Sequence, residues 1–120
     1  MSGYRDAYYL KSMRVRTKLI NEFNNAFKRF DVLVFPTMPV VAPRFDEIEK
    51  LSPLQNFAMD LCTVPSNLAG LPHLSINVGF VDSGASDSGS VKKVPVGLMI
   101  VAPHLGEDKL YSLGKVIEGE

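Results

Sequence analysis

The run Thr63-Val64-Pro65-Ser66-Asn67-Leu68-Ala69-Gly70-Leu71-Pro72 leaves the backbone few choices. Thr63 is a residue type that caps helices, and Pro65 falls in the first turn, where a missing N–H costs little. Gly70 stands where a helix would stop, and Pro72 prevents it from resuming. The apolar run Leu74 to Phe80 follows and reads as a buried strand. The stretch therefore predicts a short helix that delivers the chain onto a sheet, with one acid, Asp60, just ahead of it.

Upstream, residues 4 to 30 read as one long helix. At 100° per residue, Tyr9, Met13, Ile20, Phe23, Phe27 and Phe30 share a face. Lys11, Arg14, Lys18, Lys28 and Arg29 lie opposite. Arg16 is the one charge inside the apolar arc. A charge there must reach a carboxylate, a carbonyl or a ligand, or else extend its head to solvent over a buried stem.

Asp31 to Phe35 reads as a short buried strand, ended by Pro36-Thr37-Met38-Pro39. Ligands collect beyond the C-terminal ends of strands in open α/β sheets, so Thr37 is placed to line a site or to bond its own turn. Pro43 and the cluster Asp46 to Lys50 predict an exposed loop. Ser52-Pro53-Leu54-Gln55 fits a capping box, and Leu54, Phe57, Ala58 and Leu61 repeat with helical spacing. Asp60 sits at the edge of that apolar face, near the C-terminal end, where an acid opposes the helix dipole. Its partner is Arg16, a ligand ammonium group, or solvent. Leu74 to Val81 and Val94 to Ala102 predict two strands, and the Ser/Gly-rich Asp82 to Lys93 a solvated connection. A last helix runs from Gly106 to Ile117, with Leu110, Leu113 and Ile117 on one face.

Composition narrows the class. With 46% hydrophobic and 22% charged residues in 120, the chain predicts one globular domain with a modest core. Residues 1 to 30 hold seven of the 13 Lys/Arg and two of the 13 Asp/Glu, a balance of +5, so the rest carries −5. A basic helix face can touch RNA phosphates or simply be solvated. Cys62 is the only cysteine, which rules out an internal disulfide and a cysteine zinc cage. His73 and His104 lack neighbours at metal-ligand spacing, and no G-x-S-x-G elbow appears. His73 reads as a packed or pocket-lining residue. No run reaches the ~18 apolar residues of a membrane span. A soluble cytoplasmic protein is the expectation.

Several blocks together resemble the amidase signature family: the Thr63 to Pro72 run, Pro95-Val96-Gly97-Leu98, Tyr4-Arg5-Asp6-Ala7-Tyr8-Tyr9, Val15-Arg16-Thr17 and Asp31 to Thr37. The resemblance is greatest to the glutamine-hydrolysing subunits of tRNA-dependent amidotransferases. It implies a C-terminal fragment of a longer domain, with Met1 a start placed on that fragment. The implied fold is α/β, a mixed sheet of about three or four strands with helices on both faces. The resemblance also implies a serine nucleophile, a second serine and a lysine base, all upstream of the matched part, so no catalytic residue is expected here.

In those family members free glutamine is held by an arginine and an aspartate that match Arg16 and Asp60. The ammonia would serve a partner subunit that converts Glu-tRNA(Gln) to Gln-tRNA(Gln). ATP and magnesium would act in that complex and not in this segment. The implied partners are glutamine, the other subunits, tRNA through the complex, and the upstream part of the same chain. The alternatives are another family amidase acting on small or acyl amides, or a non-catalytic interaction domain with an Arg16–Asp60 salt bridge.

Overall fold

The computed structural model describes residues 2–85 and 91–119, with side chains described for 8–82 and 93–119. The order is α1 (Ser2–Phe27), β1 (Leu33–Pro36), α2 (Phe45–Ile48), α3 (Pro53–Met59), α4 (Val64–Ala69), β2 (His73–Ala85), β3 (Val91–Val101) and α5 (Glu107–Glu118). The strands form one sheet in the order β1-β3-β2. The α/β class, the strand count and the flanking helices agree with expectation. In place of the expected mixed sheet, both pairings among the described strands are antiparallel. The short connection between β2 and β3 accounts for their pairing, since a parallel pair needs a crossover of a dozen or more residues.

β3 lies at the centre and is covered on both sides. Met99, Ile100, Val101 and Ala102 are each no more than 1% exposed. Side chains alternate along a strand, so two cores form. Ile100 and Ala102 pack with Ile76 and with Leu110 of α5, joined by Leu74, Leu113 and Ile117. Met99 and Val101 pack with Leu71 and with Phe23 and Phe27 of α1, joined by Leu33 and Ala69. Burial on both faces explains why β3 reads as a continuous apolar run and not an alternating one.

Several local expectations change. α1 ends at Phe27, and Phe30 closes one last turn through its N–H to the Ala26 carbonyl. Only the C-terminal half of the predicted apolar stripe meets the sheet. Phe23 and Phe27 pack there, stacked with ring centroids 6.3 Å apart, while Tyr9 is 64% and Phe30 53% exposed. β1 is an edge strand, largely exposed and not buried, because among the described strands only β3 pairs with it. β2 runs on through Ala85 into the stretch that reads as a connection, with Asp82 opposite Lys93 and Ala85 opposite Val91. The rest of that connection, residues 86–90, lies outside the described residues. The predicted exposed loop contains a single helical turn, α2, held by the Glu47 carboxylate accepting from the Arg44 N–H at 2.8 Å.

The shape is open. The radius of gyration is 18.2 Å, against roughly 14 Å for a compact domain of this length. Phe45, Leu54, Phe57 and Leu61 all stand largely exposed on the α2–α3 arm. No described helix is long and apolar enough to cross a membrane.

An ion pair ties the end of α1 to α5: Lys109 Nζ lies 2.7 Å from Asp31 Oδ1. The lysine's hydrogen bond, and then its charge, hold the Asp31 carboxyl below its usual value. A lowered folded-state pKa stabilises above the unfolded value near ~3.9 and is lost as pH falls through the lowered one.

This packing and pairing can be checked by substitution. Ile100→Ala should destabilise by about 2–5 kcal/mol in denaturant unfolding, whereas Tyr9→Ser should stay within about 0.5 kcal/mol. Asp31→Asn should lower Tm slightly at pH 7, with the gap closing as pH falls below the usual carboxylate range and shrinking in high salt.

Candidate functional site

Of the predicted site residues, Arg16 of α1 reaches α4 and Asp60 stands just ahead of α4. α4 begins without the expected side-chain cap. Thr63 is itself helical (φ −90°, ψ −35°), and its hydroxyl donates back to the Asp60 carbonyl at 3.2 Å. From that conformation it cannot reach the first N–H groups of α4. The turn from α3 instead runs almost directly into α4, with the Val64 N–H donating to Asp60 O at 3.0 Å. The Ser52–Gln55 capping box forms as the sequence predicts: Gln55 N–H donates to Ser52 Oγ, and Ser52 N–H to Gln55 Oε1.

The C-terminal end of α4 is closed by Gly70 at φ +70°, ψ +35°. Leu71 N–H donates to Ser66 O and Gly70 N–H to Asn67 O, both at 3.1 Å. These two bonds make a Schellman closure, which needs a left-handed residue at the glycine position. They leave the Leu68 carbonyl without a main-chain donor. Arg16 supplies one: its Nε–H donates to Leu68 O at 2.8 Å. A cation at a helix C-terminus is also favoured by the dipole.

The sequence pattern puts Arg16 in the middle of an apolar face. In the structure it is exposed, because the N-terminal half of that face does not reach the sheet, and it meets a carbonyl, one of the partners its position calls for. Its two Nη groups have no partner among the described residues. Asp60 is also exposed. Its backbone carbonyl takes the bonds that start α4, and its carboxylate has no partner among the described residues. No ion pair within 4 Å joins Arg16 to Asp60. They stand at the two ends of α4, a helix of six residues, about 9 Å long.

Thr37 follows the end of β1, and its N–H donates to Gly97 O at 2.9 Å. Its Oγ1 lies 2.6 Å from Ser75 Oγ of β2, across the central strand. Gly97 makes that meeting possible. A Cβ there would lie 2.7 Å from Thr37 Oγ1 and 2.9 Å from Ser75 Oγ. Gly97 is two residues from Met99 and so faces the same side of β3. Ser75, whose importance the sequence pattern does not signal, therefore joins Thr37 on the α1/α4 side. Thr37 and Gly97 line a cavity of about 510 Å³ with Met38, Pro39, Pro95 and Val96.

A larger apolar cavity of about 690 Å³, between Val40, Val41 and the α3 residues Ala58 and Met59, contains none of the predicted site residues. His73 is exposed and donates from Nδ1 to the Leu71 carbonyl at 3.2 Å, a local role at the start of β2. Among the described residues no three metal-ligating side chains cluster.

Residues 1–111 match the family described as Amidase. The chain belongs to the amidase family. It is 42% identical over 118 residues to the A subunit of the glutamyl-tRNA(Gln) amidotransferase of Geobacillus stearothermophilus, covering 98% of this chain and 22% of that protein. The protein of the same name from Deinococcus radiodurans is 45% identical over 118 residues, covering 98% and 23%. Among solved structures, Kluyveromyces lactis allophanate hydrolase aligns with a TM-score of 0.68 at 26% identity, over 88% of this chain and 16% of that one. The chain thus spans under a quarter of the length of the relatives it matches.

The close approach over Gly97 is directly testable. Gly97→Ala should cost about 1–3 kcal/mol in denaturant unfolding, because Thr37 and Ser75 must separate to admit the methyl.

Proposed function

We propose that this chain is the C-terminal, substrate-recognition part of a glutamine-hydrolysing subunit of a glutamyl-tRNA(Gln) amidotransferase. The observation that carries the reading is the presence of two exposed, unjoined opposite charges at the two ends of α4. The Arg16 fork is anchored through one nitrogen, and the Asp60 carboxylate has no partner among the described residues. A free amino acid carries both complementary charges. The Arg16 Nη groups would take its carboxylate bidentately, and Asp60 its ammonium. Holding both charges of that α-carbon fixes the side-chain amide against a nucleophile, which is the positioning part of catalysis. An amide lacking these charges would leave both residues unpaired, so the pair also selects.

The likeness to the two amidotransferase proteins supports this substrate. In this reading the serine, serine and lysine of catalysis lie in the upstream part of a longer chain, and the segment alone is inactive. The intact protein would pass ammonia to a partner subunit in the cytoplasm, where ATP and magnesium serve the conversion of Glu-tRNA(Gln). The similarity to an allophanate hydrolase keeps a second reading, an amidase acting on another small amide. The interaction-domain alternative needs an Arg16–Asp60 salt bridge, and that bridge does not form within 4 Å.

The test is ammonia release from glutamine by the longer protein carrying this segment, with its partner subunits. Arg16→Met and Asp60→Leu should each raise KM for glutamine by about tenfold or more, the equivalent of one charged hydrogen bond at ~1.5–3 kcal/mol. Unchanged glutamine kinetics in both variants would exclude the pocket. Preference of the unsubstituted enzyme for another amide would select the second reading.

A further inference from the structure

Arg16 reaches α4 through Nε and not through its terminal nitrogens, and this fixes what remains of the fork. A guanidinium can meet a carboxylate side-on, through Nε and one Nη, or end-on, through both Nη groups. The 2.8 Å bond from Nε to Leu68 O removes the side-on mode. The carbonyl is available because Pro72, four residues on, has no N–H, and the closure at Gly70 takes Leu71 N–H away to Ser66 O. That closure depends on Gly70 at φ +70°, a conformation that L side chains other than Asn and Asp adopt with difficulty.

We infer that Gly70 is a positioning residue: through the Leu68 carbonyl it orients Arg16 so that only the Nη pair is presented, end-on, to the carboxylate of the substrate. The inference rests on the glutamine reading above and goes beyond it, since it names the device that aims the arginine. It also predicts that lysine cannot replace Arg16. One ammonium cannot be held by the Leu68 carbonyl and still offer two parallel donors to a carboxylate.

Nothing within 4 Å would block a Cβ at Gly70, so substitution there acts through backbone conformation and not through a clash. Val is strained in the left-handed region, whereas Asn tolerates it. Gly70→Val should therefore shift Leu68 O and release Arg16, and Gly70→Asn should keep both in place.

Two measurements test this. In the first, the crystal structure of the longer protein is read for the hydrogen bond between Arg16 Nε and the Leu68 carbonyl oxygen. It should be present in the unsubstituted chain and in Gly70→Asn, and lost in Gly70→Val. Its absence from the unsubstituted chain overturns the inference.

The second uses the longer, glutamine-hydrolysing protein with its partner subunits and compares glutamine with γ-aminobutyramide, which is glutamine without its α-carboxylate. Gly70→Val should raise KM for glutamine about tenfold, leave kcat within about twofold, and change neither constant for γ-aminobutyramide by more than about twofold. Gly70→Asn should restore the glutamine KM. A purely structural glycine would affect both amides alike, and that result overturns the inference while the glutamine reading stands. If the unsubstituted protein releases no ammonia from glutamine, the glutamine reading falls and the inference falls with it.

Discussion

Burial of β3 on both faces is the constraint on which the other elements depend. The strand is hydrogen-bonded to β1 on one side and β2 on the other, and its residues 99–102 are almost wholly removed from solvent. Alternation then sends Ile100 and Ala102 toward α5, and Met99 and Val101 toward α1 and α4. Two small cores share one strand. α5 closes one core by packing chiefly on β2, α1 closes the other together with α4, and α2 and α3, which reach neither core, carry Phe45, Leu54 and Phe57 largely exposed.

The same alternation places the contact between Thr37 and Ser75. Gly97 lies in register with Met99 and Val101, so the gap left by its missing side chain opens on the α1/α4 side. Thr37 and Ser75 meet across that gap, and α4 brings Arg16 and Asp60 to its two ends. A central strand buried on both faces supplies the rigidity, and one glycine in it supplies the close approach.

How far the sequence foretells this follows the range of the interaction. The Ser52 capping box, the Gly70 stop and the face of α5 depend on residues a few positions apart, and all are legible in the pattern. The Thr63 cap fails because chain connectivity competes with it: α3 ends only four residues before α4 begins, and the turn between them holds Thr63 helical. The exposure of β1 and of the N-terminal half of α1 is not legible at all. Periodicity marks which residues of an element share a face and says nothing about whether a partner covers that face. A segment under a quarter as long as its relatives can carry apolar faces whose partners lie elsewhere.

Arg16 joins the local and long-range views. Its place within an apolar arc marks it as a residue in need of a partner, and the candidates are a carboxylate, a carbonyl or a ligand. The carbonyl it meets lies 52 positions away and is free because Pro72, four residues on, has no N–H and Leu71 N–H goes to Ser66 O. Had Asp60 been the partner, the two charges would have neutralised each other and left little to recognise a ligand. A neutral carbonyl holds the guanidinium in place without cancelling its charge. In the proposed site the helix end would fix the direction of the fork while the positive charge stays available, and Asp60, just ahead of the same helix, would keep its own.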